Sequence, residues 1–409
     1  MKHIVCLLSA VLMVTACHKK ENETVPIDQE TVLVYIAADN TLNDYLSSDL
    51  NQMIRGSRGL TEGNNLLLFI DKKNMLPGLF KIEQDDTVRL QTLTDDPQSS
   101  DPSTLGMAMN WAMANYPARN YGLVLWGHAD GWVISERTTG SRGSRHAFGQ
   151  DTSNSTVPLG TWMNIPDMAA VLEQLPCPEG REKPLRFILA DCCCFQSVES
   201  AYELRNCTDY IIASAAEIPG DGAPYQTVIP ALFSQRDDFA EEAAKAYYAQ
   251  LCEGYQEPIS VIETSQMEQL AQATATALQQ SLQPLSQGYP DVDGLIYYYD
   301  RTLFDMNDFM LRHADSDVYS QWKRTFDAAV IYKAMATVWM AMHVAYLDSR
   351  ESIFRDFDVT EERYGGVNMF VPQDVSSLIY KYQDNAKRQN EHISEMKWYQ
   401  AAGLDRLGW

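Results

Sequence analysis

Short unbroken apolar runs recur along the first half of this chain, separated by stretches with helical spacing. Thr31–Ala37 (TVLVYIA), Asn65–Asp71 (NLLLFID), Tyr121–Trp126 (YGLVLW), Leu185–Ala190 (LRFILA) and Tyr210–Ser214 (YIIAS) read as strands. Between them, Leu42–Arg55 puts Leu42, Tyr45, Leu46, Leu50 and Met53 on one helical face, Thr104–Tyr116 is a helix stopped by Pro117, and Ser197–Arg205 opens another. Leu79–Glu83 and Thr87–Leu90 are shorter candidates spaced as a hairpin. Strands that are apolar throughout, rather than at every second position, need cover on both faces. That predicts an α/β fold: a three-layer sandwich around a mainly parallel sheet of six or more strands.

The pattern then changes. Ala240–Ser286 and Ser320–Leu347 are rich in Ala, Gln and Met and read as helical, and Gly365–Pro372 reads as one more strand. The expected organisation is a core over residues 30–235, completed by a helical C-terminal part over 236–409. In sheets of this kind functional residues collect just beyond the carboxyl ends of strands. His128 stands two residues past Trp126, and Cys192, Cys193 and Cys194 follow directly on the run that ends at Asp191, which places them on one edge.

Composition narrows the choice of partner. With 55 acidic against 32 basic residues the net charge is −23, and no basic run offers a surface for phosphates, so nucleic acid is excluded as a partner. An acidic surface suits a cationic substrate better. The chain opens with Lys2, an apolar run from Ile4 to Ala16 too short to span a bilayer, and Leu12–Cys17 (LMVTAC). This is the pattern of a bacterial lipoprotein signal peptide over 1–16, with Cys17 lipidated and residues 17–29 as a tether. The protein is then expected outside the cytoplasm, lipid-anchored to the cell envelope.

Without Cys6 and Cys17, six cysteines remain: Cys177, Cys192, Cys193, Cys194, Cys207 and Cys252. Adjacent cysteines make poor disulfide partners, and no second Cys-x2-Cys pair supports zinc. A cysteine nucleophile needs a base or polariser and oxyanion donors, and His128 is the histidine on the right edge. The helix that follows the cysteines would help to lower a thiol pKa. Buried, purely structural thiols remain the competing explanation.

Trp126–Trp132 (WGHADGW) followed by Asp191–Leu204 (DCCCFQSVESAYEL) resembles the clostripain-like cysteine peptidases of the caspase-like clan. Tyr35–Leu42 (YIAADNTL), Tyr116–Tyr121 (YPARNY) and Ala213–Tyr225 (ASAAEIPGDGAPY) resemble further parts of that family. The family pattern of Asp-Ala-Cys, three residues, then Ser-Val-Glu implies that Cys193 is the nucleophile, with Cys192 and Cys194 as packing residues. It also implies a caspase-like fold and acyl transfer through a Cys193/His128 dyad, with backbone N–H groups of Ala129 and Cys193 meeting the oxyanion. Asp191 and Asp221 match an acidic S1 pocket selecting Arg, and Lys with it. Other uses for the two are a helix N-cap and a turn residue. Zymogen activation would fall in the polar loop 135–146, at Arg137, Arg142 or Arg145. Ala129 departs from the usual glycine, which would strain the backbone if that site needs positive φ. Some members depend on calcium, but no Asp-x-Asp-x-Asp-Gly loop is present, so no cofactor and no metal site is expected. The expected partners are peptide substrates of a monomeric enzyme. The alternatives are a catalytically weak, peptide-binding surface lipoprotein of the same fold and a structural lipoprotein whose cysteines only pack.

Overall fold

The computed structural model describes residues 28–83, 85–134, 147–152, 160–249, 256–298, 302–340, 354–356, 358–378 and 380–409. The signal peptide, Cys17, Arg137, Arg142, Arg145 and Cys252 lie outside the described residues.

The chain begins with β1 (Asp28–Ala38), which opens inside the stretch expected as tether, a 3₁₀ turn (Thr41–Asp44) and α1 (Leu46–Ser57). Next come β2 (Asn64–Lys72), β3 (Met75–Glu83), β4 (Asp86–Thr92), α2 (Pro102–Asn115) and β5 (Ala118–Trp126). The short strands β6 (Phe148–Asp151) and β7 (Thr161–Met163) pair with each other and lead into α3 (Ile165–Leu172). β8 (Leu185–Asp191), α4 (Val198–Glu203), β9 (Thr208–Ser214), α5 (Tyr225–Leu232) and α6 (Phe239–Tyr248) follow. The later part adds β10 (Ile259–Glu263), α7 (Met267–Ser281), β11 (Leu303–Asp305), α8 (Met306–His313), α9 (Ser316–Ala329) and β12 (Val330–Lys333).

Nine strands form one sheet in the order β12-β10-β9-β8-β5-β1-β2-β3-β4. Its centre, β9-β8-β5-β1-β2, is parallel, and antiparallel pairs flank it on both sides. Each central strand feeds two cores. Leu33, Tyr35 and Ala37 of β1 face the side covered by α2, α3, α4 and α7, while Val32, Val34 and Ile36 face α1, α5 and α6. This is why the runs are apolar at every position. The expected hairpin is β3–β4. The region expected to be helical from Ala240 is interrupted by β10, which joins the main sheet beside β9, and the one from Ser320 by β12, which pairs with β10 at the sheet edge. These strands are only five and four residues long, and the Ala- and Gln-rich surroundings hide them. The expected late strand is Asn368–Phe370, paired with β11. Among the described residues no helix is long and apolar enough to cross a membrane.

Candidate active site

The site is built on the register of two neighbouring parallel strands. In the β5–β8 pair Trp126 stands opposite Asp191, so His128 and Cys193 each lie two residues beyond matched positions. The loop carrying His128 folds back on the start of β6: Gly149 N–H donates to His128 O at 2.9 Å and Asp130 N–H to Ala147 O at 3.4 Å. Ala129 forms a bridge with Phe148 between these bonds, which leaves its own N–H outside both. Gly131, at φ 73°, presses on the neighbouring loop, and a Cβ there would come within 3.0 Å of Cys194 O. The histidine and cysteine loops therefore touch through backbone.

His128 is held from β1's end as well. Its Nε2 shares a hydrogen bond of 2.8 Å with Thr41 Oγ1, and its ring lies 6.4 Å, centroid to centroid, from that of Trp162 in β7. Sequence reading missed Thr41 because nothing in a strand-to-helix connection marks one hydroxyl above its neighbours.

Cys192 and Cys194 are buried in the core on the α2–α4 side, and Cys193 is half-buried beside it. The Cys193 sulfur accepts from Ile218 N–H at 3.4 Å, and its thiol faces Ile218 O at 3.7 Å. Cys194 takes the left-handed conformation, φ 56°, and its N–H donates to Ala216 O at 2.8 Å. A non-glycine residue in that conformation carries strain that the surrounding contacts must hold in place. Ala129 is not among the positive-φ residues, so the strain anticipated there falls on Cys194 instead.

Burial pushes the Cys193 thiol well above its ordinary pKa, the carboxylates of Glu217, Asp130 and Glu257 add to this, and the Ile218 N–H opposes it. The help expected from a helix N-terminus is not available. α4 starts only at Val198, with Ser197 as its cap accepting from Ser200 N–H at 3.0 Å. In this arrangement the thiol holds its proton at neutral pH, so a nucleophilic role requires a proton acceptor such as His128.

The predicted acids flank the cysteine loop. Asp191 is buried, and its Oδ2 accepts from Tyr225 Oη at 2.6 Å and Ala223 N–H at 3.0 Å, while Oδ1 accepts from Tyr247 Oη at 3.0 Å. The helix-cap role considered for it belongs to Ser197. Burial raises the Asp191 pKa, against the pull of its three hydrogen-bond donors. Asp221 is exposed on the turn that Gly222 N–H closes onto Pro219 O at 3.1 Å, so it is also a turn residue. That turn joins Ile218, which touches the Cys193 sulfur, to Ala223, which touches Asp191. Gly222, at φ 58°, is needed there, because a Cβ would fall 2.7 Å from Asp191 Oδ2. A further acid, Asp49 of α1, lies beneath and accepts from Trp126 Nε1–H at 2.8 Å. Among the described residues no group of three or more His, Cys, Asp or Glu side chains is placed to hold a metal ion.

A thiol and an imidazole at adjacent parallel strand ends, on a caspase-like sheet, are groups that a cysteine hydrolase uses. The chain belongs to the clostripain family, peptidase family C11, whose profile matches residues 34–403. It is similar to a secreted C11 cysteine protease from Bacteroides thetaiotaomicron solved with an irreversible peptide inhibitor: 31% identity, TM-score 0.74, covering 92% of this chain and 99% of that one. An inactive zymogen C11 protease from Parabacteroides distasonis is similar at 28% identity and TM-score 0.70, covering 92% of this chain and 99% of that one. No curated protein matches the chain. The protein is a cysteine-type endopeptidase.

Proposed function

We propose that this peptidase hydrolyses peptide bonds on the carboxyl side of arginine, and of lysine, through Cys193 and His128. The observation that carries the reading is the matched placement of His128 and Cys193 beyond the Trp126–Asp191 pair, with Asp191 at the end of β8 bonded to Ala223, which follows the turn that carries Asp221. Cys193 Sγ attacks the peptide carbonyl carbon and its proton passes to His128. The oxyanion accepts from the N–H groups of Cys193 and Ala129. His128 then gives the proton to the departing amine, leaving a thioester that water hydrolyses to the free acid and thiol. The carboxylates of Asp191 and Asp221 attract the guanidinium or ammonium of the P1 side chain.

Activation follows from cleavage in the 135–146 loop, after Arg137, Arg142 or Arg145. Both borders of that loop are pinned at the site, through Asp130 N–H to Ala147 O and Gly149 N–H to His128 O. The uncut chain keeps its thiol protonated and engaged with Ile218, as suits a resting form. The 30–235 core, completed by 236–409, acts as one catalytic unit. The enzyme works as a monomer outside the cytoplasm, tethered through lipidated Cys17, in keeping with its secreted relative from Bacteroides thetaiotaomicron.

The test is hydrolysis of fluorogenic peptides with Arg, Lys, Ala or Asp at P1 by protein starting after Cys17, before and after nicking the loop, beside Cys193→Ala. Cleavage after Arg or Lys that vanishes in the variant is the expected result. Activity surviving in Cys193→Ala moves the nucleophile elsewhere, and silence of nicked wild-type protein favours a peptide-binding lipoprotein.

A further inference from the structure

The segment from the end of β1 into α1 meets the site at intervals of four residues. Thr41 reaches His128, the Tyr45 ring lies against Gly220, where a Cβ would fall 2.6 Å from the ring, and Asp49 reaches Trp126 at 2.8 Å. The 3₁₀ turn carrying Thr41, the cap residue Tyr45 and the first turn of α1 carrying Asp49 thus touch the histidine, the Asp221 turn and the residue paired with Asp191 in succession.

Asp49 is the unusual member. It is buried, 1% exposed, among the apolar side chains between the sheet and α1 and α5. Its Oδ2 accepts from Trp126, while its Oδ1 is buried and accepts no hydrogen bond. A buried carboxyl oxygen with no donor is costly and calls for a reason. Trp126 is the residue paired with Asp191, and paired residues of parallel strands point to the same face, so Asp49 lies below the Asp191 side of the pocket. Tyr225, which opens α5, donates to Asp191, and α5 packs on α1. The three hydrogen bonds already on Asp191 leave it little capacity for a planar, bidentate cation.

The groups that bear on Asp49 are Asp191 from β8, Asp221 from the turn, Trp126 from β5 and Tyr225 from α5. Both charged neighbours are negative. Burial first and Asp191 next push the Asp49 carboxyl up to about 8, with the Trp126 N–H opposing and Asp221 adding to the rise.

We propose that Asp49 is a third carboxylate of the pocket that recognises the P1 cation, protonated while the pocket is empty and ionised when a guanidinium enters. The inference rests on the Arg/Lys reading given above. When the cation enters, the Asp49 O–H bond breaks, the proton leaves to solvent, and the carboxylate supplies the negative charge that the occupied pocket needs. Arginine selection is then tied to the release of a proton.

The probe is agmatine, a free guanidinium, titrated calorimetrically into the nicked enzyme in two buffers of different ionisation enthalpy at pH 7. Wild type is expected to release close to one proton per agmatine, and its KM for an Arg-P1 peptide to fall as pH rises towards 8. Asp49→Asn should release none, with KM for Arg-P1 raised about tenfold, kcat kept, and KM for an Ala-P1 peptide unchanged. Trp126→Phe keeps the carboxyl but loses its N–H donor, so the inflection in KM should move to higher pH, which keeps the test decisive if Asp49→Asn folds poorly. Agmatine binding without proton release, or equal Arg-P1 profiles in wild type and Asp49→Asn, overturns the proposal while leaving the Arg reading intact. A wild-type enzyme that hydrolyses peptides but neither binds agmatine nor prefers Arg over citrulline at P1 overturns the Arg reading itself, and the role of Asp49 with it.

Discussion

Thr41→Val removes the side-chain hydrogen bond between Thr41 and His128. Valine replaces the hydroxyl by a methyl of similar size at an exposed position, so stability should change by no more than about 0.5 kcal/mol. The lost bond is a 2.8 Å contact to the imidazole Nε2. To a neutral ring such a bond contributes about 0.5–1.5 kcal/mol, and to the imidazolium formed as the thiol proton arrives about 1.5–3 kcal/mol. The difference, about 1–2 kcal/mol, is felt in the transition state alone, so kcat should fall roughly 5- to 30-fold while KM holds. Thr41→Ser, which restores the oxygen, should recover kcat to within about twofold of wild type. The assay is steady-state hydrolysis of an Arg-P1 peptide by nicked protein, with a thermal melt beside it. A kcat equal to wild type in Thr41→Val, or a loss carried entirely by KM, would refute the assignment of Thr41 as the residue that positions His128.

Other outcomes follow from the same structure. Alkylation of Cys193 by iodoacetamide in uncut protein should be slow at pH 7 and climb steadily with pH, and Glu217→Gln should speed it at pH 7, because removing a negative charge beside the sulfur lowers the thiol pKa; an unchanged rate would remove Glu217 from the account. Gly222→Ala should raise KM for Arg-P1 peptides and lower stability by about 1–2 kcal/mol, because its Cβ would displace the Asp191 carboxyl and its φ of 58° disfavours alanine; a melt and KM like wild type would contradict this. Arg186→Met strips the 2.7 Å partner from buried Glu30 and should cost about 3–5 kcal/mol at pH 8 in denaturant melts. Glu30 is already raised to about 7, mainly by burial, and losing Arg186 raises it further, so the cost should shrink as pH falls below 7 and the carboxyl takes up its proton; a pH-independent loss would refute this.

The parallel core was legible because its physics is local: five runs are apolar on both faces, and each became a buried strand at the centre of the sheet. The edge carrying His128 and Cys193 followed from strand ends alone. The choice of Cys193 came from the family motif alone; in the structure Cys192 and Cys194 are buried in one core and Cys193 is half-buried between them. What escaped the sequence depends on tertiary context. The face expected on Leu42–Arg55 assumed that apolar residues turn inward, yet Tyr45 is exposed and Asp49 buried, because the Trp126 indole N–H waits in the core for an acceptor. β10 and β12 were hidden by their length. The left-handed backbone of Cys194 has no signal, since nothing about a cysteine announces positive φ.

The sheet order has one more consequence, for a chain cut as proposed between residues 135 and 146. Residues 135–146 stand in sequence between β1–β5 and β8, β9, β10 and β12, yet β5 and β8 lie side by side at the middle of the same sheet. A cut there would leave two polypeptides that share the β5–β8 strand pair, with a core on each face. They cannot part without opening the protein's centre to water. A processed molecule should therefore run as one particle under native conditions and as two bands once denatured, and its heavy and light pieces, expressed separately, should each lack half of a core.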